Sequence, residues 1–436
     1  MSQPHATAHN NSAWVPVAGL TLFALASGYH MSLLPLALDG FGLATDLAAW
    51  LASIFYFGLL LGATCISPVV ARLGHRGAFI LFLLLLAATV AGMPLVVNGQ
   101  FWLAARFIAG IAVAGIFVVV ESWLLIADTA KQRAKRLGFY TGSLYGGNAL
   151  GQLGVGQLGV DGAMPHILVA IVLVLAVLPP LLAKRCQPQK IQHQKISFKE
   201  VRHVSRPAIM GCLVAGLVLG PIYGLMPVFL SEQTGDHQLT GKLMAIVILG
   251  AMLVQPLVSW LSPRFSKTLL MAFFCLLGAA GVVGILLSHS TLVMGFNLLL
   301  LGAAAFALYP IAITLACDSL DSSKIVAATE LMLLSYSVGS VIGPLVANGF
   351  QQQQGLPMYL GLCLTTTCIY MLLSSVRPTR GRMPAEPLLR LRILGRTQAL
   401  NSALGGQTRY MPSLVGELKL KPNLRYSCGT SAIKVI

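Results

Sequence analysis

Apolar runs near or above the roughly 18 to 20 residues that cross a bilayer recur along this chain with short polar gaps between them. Twelve such spans are read, at Trp14 to Leu38, Ala49 to Val70, Ala78 to Val97, Phe101 to Ala127, Leu137 to Gly159 and His166 to Leu182, then at Ala208 to Leu230, Leu243 to Leu261, Thr268 to Leu287, Leu292 to Cys317, Val326 to Gly349 and Met358 to Val376. In lipid each must be a helix, because no water is present to satisfy a non-helical backbone. The pattern predicts an all-α membrane protein of twelve transmembrane helices. Composition agrees: 56% of residues are hydrophobic and 10% charged, and mean hydropathy is +0.80, which excludes an ordinary water-soluble domain.

The net charge of +16 raises nucleic acid as a partner, and the placement of the charges removes it. With the N-terminus inside, 16 of the 29 Lys and Arg residues fall in inner loops, 11 in the C-terminal tail, Lys242 alone in the outer loops and Arg106 within span 4. This is the positive-inside bias, which places both termini in the cytoplasm and the basic loops against anionic lipid. The stretch before Trp14 holds no Lys or Arg to make a signal peptide, so span 1 is read as retained. Eight scattered cysteines without a CxxC pair point to neither a disulfide framework nor a metal site, and no cofactor motif is present.

Residues 183–207 form the longest inner loop, carry seven basic residues and divide the spans six and six. Laid without gaps on Gly250 to Arg264, the segment Gly62 to Arg76 matches at six of fifteen positions, Pro68 with Pro256 and Arg76 with Arg264 among them. Nearly the same offset sets Gly147 and Gly151 on Gly339 and Gly343, and Asp128 near Asp318. The expected organisation is an N-terminus at 1–13, a six-helix half at 14–182, the basic linker at 183–207 and a second six-helix half at 208–376. A disordered basic cytoplasmic tail follows at 377–436; a shifted reading frame near the end of the gene is a second explanation of the tail. Spans 3, 6, 9 and 12 are almost wholly apolar and suit lipid-facing positions, while 1, 4, 5, 10 and 11 carry polar side chains.

Charges inside spans are costly and mark pathways or proton relays. Three occur: Arg106, Glu121 and Glu330. Arg106 and Glu121 lie fifteen residues apart on span 4, about 22 Å of rise at helix geometry, so they share a face near opposite ends and cannot pair. Glu121 is the first proton-coupling candidate. His30, the one His well inside a span, is the second, since an imidazole titrates near neutral pH. Each has an ordinary alternative as an interhelical tie. Arg106 suits an anionic substrate or a structural contact across the interface. Glu330, near the inner end of span 11, suits a gate contact with Arg72 to Arg76. Tyr29, Tyr145, Asn148, Gln152, Tyr223, Gln255, Asn297, Tyr309 and Tyr336 complete a candidate substrate cavity. Gly138, Gly142, Gly146, Gly147 and Gly151, with Gly339 and Gly343, have the GxxxG spacing that permits close helix packing.

Three passages resemble the major facilitator superfamily, and most closely its bacterial YcaD-like transporters, over roughly residues 14–376: Arg72-Leu-Gly-His-Arg76, Arg106-Phe-Ile-Ala-Gly110 with Val118-Val-Val-Glu-Ser-Trp123, and Leu308-Tyr-Pro-Ile311. The resemblance implies two six-helix pseudo-repeats with substrate held between them near the midplane, in a bacterial cytoplasmic (inner) membrane. Carried over, Arg72, Gly74 and Arg76 belong to the cytoplasmic gate, and Arg106 and Glu121 to the functional face of span 4. Ala71 stands where the loop motif usually has Asp, and Gln152 replaces a proline of the antiporter pattern. The implied function is proton-coupled secondary transport of a small molecule by alternating access. Efflux antiport by the same fold and a non-transporting membrane sensor are the alternatives. An enzyme is not indicated, because no nucleophile or acid–base constellation lies at a membrane face.

Overall fold

The computed structural model describes residues 14–125, 130–182, 205–318, 325–350 and 354–376. The expectations placed on 1–13, Asp128, most of the 183–207 linker and 377–436 lie outside the described residues. Within them the chain is helical: α1 (Trp14–Ala37), α2 (Leu47–Cys65), α3 (Ser67–Gly92), α4 (Gly99–Leu125), α5 (Ala130–Gln152), α6 (Gly154–Leu158), α7 (Met164–Leu175), α8 (Leu178–Leu182), α9 (Arg206–Gly224), α10 (Met226–Thr234), α11 (His237–Leu261), α12 (Lys267–Leu286), α13 (Thr291–Cys317), α14 (Ile325–Asn348) and α15 (Gly355–Val376). Among the described residues eleven segments are long and apolar enough to span a bilayer, α7 and α8 together forming one of them. The remaining long helix is α5, 23 residues whose charged first turns and many glycines make it far less apolar than the others.

Local chemistry explains where the helices break. Pro68 enters the first turn of α3, whose start closes α2 at Cys65, so the expected single span at 49–70 is divided. The predicted loop at 71–76 is itself helical except at Gly74, where φ is 71° and ψ 167°; only glycine adopts that conformation readily. Span 7 is likewise two helices, α9 and α10, with Pro227 in the first turn of α10. At the far end of α10, Gly235 turns left-handed at φ 63°. Asp236 then accepts a hydrogen bond from the Gln238 amide and opens α11, a side-chain cap for an otherwise orphaned donor.

Packing repeats between the two sets of spans. α1 lies on α5 as α9 lies on α14, α2 on α4 as α11 on α13, and α3 on α4 as α12 on α13. The two most extensive pairings between the sets are α2 with α14 and α5 with α11, and these also exchange under the repeat. Close approach at the α1–α5 and α9–α14 seams depends on glycine: a Cβ on Gly147 would fall 2.7 Å from the Ala24 Cβ, and one on Gly151 2.2 Å from the Leu25 carbonyl oxygen. Gly339 and Gly343 meet the carbonyls of Leu213 and Leu217 at 2.1 and 2.7 Å in the same way. Among the described residues Gly138, Gly142 and Gly146 have no such neighbour within 4 Å, so of the α5 glycines with GxxxG spacing it is Gly147 and Gly151 that pack closely.

Candidate functional site

The helix bundle has two ends. The N-terminal face holds the start of α1 and the Gly74 turn; the opposite face holds the turns at Gly42, Gly159 and Gly235. Along α5, residues Gly138, Gly142, Tyr145, Ala149 and Gln152 follow steps of four and three and so share one side of the helix. Tyr145 and Ala149 are buried in a core cluster otherwise built from α9 to α15. A Cβ on Gly241 of α11 would lie 2.5 Å from the Gln152 carbonyl oxygen. Gly138 and Gly142 on the same side are exposed. At positions related to them by the repeat, Glu330 and Leu334 of α14 are exposed too. The two halves thus meet toward the opposite face, where Gly224 also closes on Ala52 and Gly156 on Gln238, and diverge toward the N-terminal face.

Lined mainly by the first half and closed by the second lies a cavity of ≈ 160 Å³. From α1 it takes Ser27, His30 and Met31; from α2, Phe55 and Tyr56; from α4, Arg106 and Phe117; and from α5, Tyr145 and Asn148. Tyr223 of α9 and Tyr336 of α14 close its far side. Phe306 of α13 braces this wall by edge-to-face contacts with both Tyr145 and Tyr223, each at 5.7 Å between ring centres. Tyr309 meets Tyr336 edge to face at 5.0 Å between ring centres.

Arg106 carries the single formal charge among the residues that line the cavity. Its guanidinium lies 4.2 Å from the centre of the Phe55 ring, a cation–π contact, and its buried Nε has no hydrogen-bond partner among the described residues. His30 is 5% exposed and its Nε2 is likewise unpartnered. Behind it, away from the cavity, His166 is fully buried and stands 6.1 Å from His30 between ring centres, enclosed by Phe41 and Trp102.

Of the residues expected in the cavity, the structure brings together His30, Arg106, Tyr145, Asn148, Tyr223 and Tyr336. It places the others elsewhere. Tyr29 donates its hydroxyl to the Gly159 carbonyl at 2.6 Å, tying α1 to the turn after α6. Gln152 is buried and accepts a hydrogen bond from Ser32 at 2.6 Å. Gln255 donates to Ala251 of its own helix. Asn297 packs over Gly284 of α12, outside the cavity wall, and Tyr309 stands behind Tyr336. Sequence reasoning does not find Phe55, Tyr56, Phe306 or His166. Phe55 and Tyr56 lie in an apolar span with no polar face to orient it, and no spacing rule singles out His166.

Glu121 does not line the cavity. It lies toward the N-terminal face of α4, half-buried, and accepts a hydrogen bond from the Tyr140 hydroxyl of α5 at 3.0 Å. On that face Arg76 donates to the Leu181 carbonyl at the end of α8 at 2.8 Å, while Arg72 and Glu330 are exposed. Glu330 makes no ion pair with either arginine in this conformation. The ion pair found there among the described residues is Lys267 with Asp318, from the start of α12 to the end of α13.

Comparison with known proteins joins this geometry to a lineage. Residues 17–344 match the profile of the Major Facilitator Superfamily. An uncharacterised MFS-type transporter of Enterobacter sp. (strain 638) is 32% identical over 374 residues, covering 82% of this chain and 93% of that one. The uncharacterised MFS-type transporter YcaD of Salmonella enteritidis PT4 is 32% identical with the same coverage. Among solved structures, a point mutant of the nucleoside transporter NupG superposes with a TM-score of 0.70 at 14% identity, over 82% of this chain and 98% of its own. A bacterial homologue of the human lysosomal transporter Spinster, in an inward-facing and occupied conformation, gives 0.67 at 16% identity, over 88% and 100%. The chain is an integral membrane protein and belongs to the major facilitator superfamily.

Proposed function

We propose that this protein is a secondary active transporter of the bacterial cytoplasmic membrane that moves a small molecule by alternating access, coupled to protons through Glu121. The observation that carries the reading is the α5 face: one helix side is packed against the second half at Tyr145 and Ala149 and open at Gly138 and Gly142. A cavity between two halves that meet at one end only is the geometry an alternating carrier requires. The charge bias supports an N-terminal face in the cytoplasm, so the conformation described is open inward. Glu121 sits on that open side, half-buried, with the Tyr140 hydroxyl donating to it. A carboxylate within a span whose surroundings open and close to water takes up and releases a proton as access changes.

The test is reconstitution into proteoliposomes containing a pH-sensitive dye, with an imposed pH gradient and a panel of organic anions, neutral metabolites and amines. Substrate-dependent proton flux supports the reading. Counterflow of a substrate without any proton movement keeps the carrier and removes the coupling, and a protein that binds ligand with no counterflow is a sensor.

A further inference from the structure

We infer that the ligand of the central cavity is a small organic anion with a single-ring-sized apolar body, its charged group seated between Arg106 and His30. This rests on the transporter reading for its context but not for its chemistry.

Among the described residues no Asp or Glu lines the cavity, and Arg106 forms no ion pair or hydrogen bond. A cation withdrawn from water without a counter-charge is strongly disfavoured unless something else supplies the negative charge. Phe55 packs against the guanidinium without accepting from its N–H donors, which leaves the flat fork that carboxylates and phosphonates fit. His30, more than nine-tenths buried and lining the same cavity, adds a second nitrogen with no partner. Two unsatisfied buried nitrogens in one cavity are not explained by packing, because buried polar groups are paired as a rule. A protonated amine entering here meets Arg106 with no acid to offset it.

The remaining wall sets the body of the ligand. Tyr56, Tyr145, Tyr223 and Phe117 present ring surface. The volume of ≈ 160 Å³ compares with the roughly 150 Å³ at which an engineered cavity takes up benzene.

The experiment is thermal unfolding of the purified full-length protein at constant ionic strength with four probes of one size: benzoate, phenylphosphonate, benzamide and benzylamine. The wild type should be stabilised by the two anions, with shifts at least about threefold those of the amide and the amine, since only a ligand that binds the native state raises its stability. Arg106→Gln should lose the anion shift, and Arg106→Lys should retain part of it. An equal or larger shift with benzamide or benzylamine, no shift with either anion, or an anion shift unchanged in Arg106→Gln overturns the inference. The comparison among probes needs only wild type, so it stands if Arg106→Gln fails to fold. Benzoate counterflow in proteoliposomes separates the two readings: binding without counterflow removes the transporter and keeps the anion site, while counterflow of benzylamine instead does the reverse.

Discussion

The Tyr140 hydroxyl donates to Glu121 Oε1 at 3.0 Å, which joins α5 to α4 on the side of the molecule where the two halves stand apart. The coupling candidate is therefore separated along α4 from Arg106, the cavity's charge, by about 22 Å of helix rise. Substrate and proton would be bound at different depths.

Replacing Glu121 by Gln keeps a hydrogen-bond acceptor for Tyr140 and removes the titrating group. Substrate counterflow should persist within about twofold, whereas accumulation driven by a pH gradient should disappear. Uptake measured with and without the gradient decides this, and unaltered gradient-driven accumulation in the variant removes Glu121 from the coupling step.

Tyr140→Phe deletes only the donor. A hydrogen bond to a charged group contributes about 1.5–3 kcal/mol, so thermal unfolding should show a loss of that order at most, with the fold intact. The proton response should weaken while Arg106-dependent binding of benzoate remains.

The α1–α5 seam and the open α5 face respond oppositely to the same change. Gly151→Ala drives a methyl to within 2.2 Å of the Leu25 carbonyl and should cost about 1–3 kcal/mol as overpacking. Gly142→Ala meets nothing within 4 Å and should stabilise the helix by up to about 1 kcal/mol. Gly142→Phe should leave ligand-dependent stabilisation in place and abolish turnover if α5 must close on its neighbour. Unfolding curves beside transport rates separate these outcomes.

Gly74→Ala places a side chain at φ 71° and ψ 167°. The strain is about 1–3 kcal/mol, concentrated where α3 turns. A lower unfolding temperature with unchanged benzoate binding is expected, and a variant as stable as wild type would mean that the turn relaxes to another conformation.

Tyr29→Phe removes a tie to Gly159 and should lower stability by about 1 kcal/mol with KM unaffected. Tyr145→Phe, inside the cavity, should raise KM with little loss of stability. The contrast checks the division between wall and scaffold.

The spans are legible in the sequence because the bilayer imposes both a minimum length and an apolar composition on every helix that crosses it. Even α5 is recoverable by its place between apolar neighbours. Helix breaks at Cys65 and Gly224 are not, since a proline near a span's end is compatible with a kink, a break or an ordinary start. The site is only half legible for a related reason. A helix apolar on all sides carries no sign of which side turns inward, so Asn297 reads as a cavity residue although it faces α12 and Gly284, and Tyr56 carries no signal at all. On α5, Tyr145 and Asn148 stand out because polar residues repeat along one side. Gln152 shares that pattern yet ends up beyond the cavity, bonded to Ser32, because the halves have closed together at its level.

Because Arg106 stands without a counter-charge among the cavity's described residues, the empty cavity holds a positive charge inside the electric field of an energised membrane. A rearrangement that moves the edge of that field from one side of the guanidinium to the other does electrical work of up to about 2.3 kcal/mol per 100 mV. A monovalent anion beside Arg106 cancels the term. In the proposed carrier, voltage would then act through Arg106 on the return of the empty protein and not on the loaded passage.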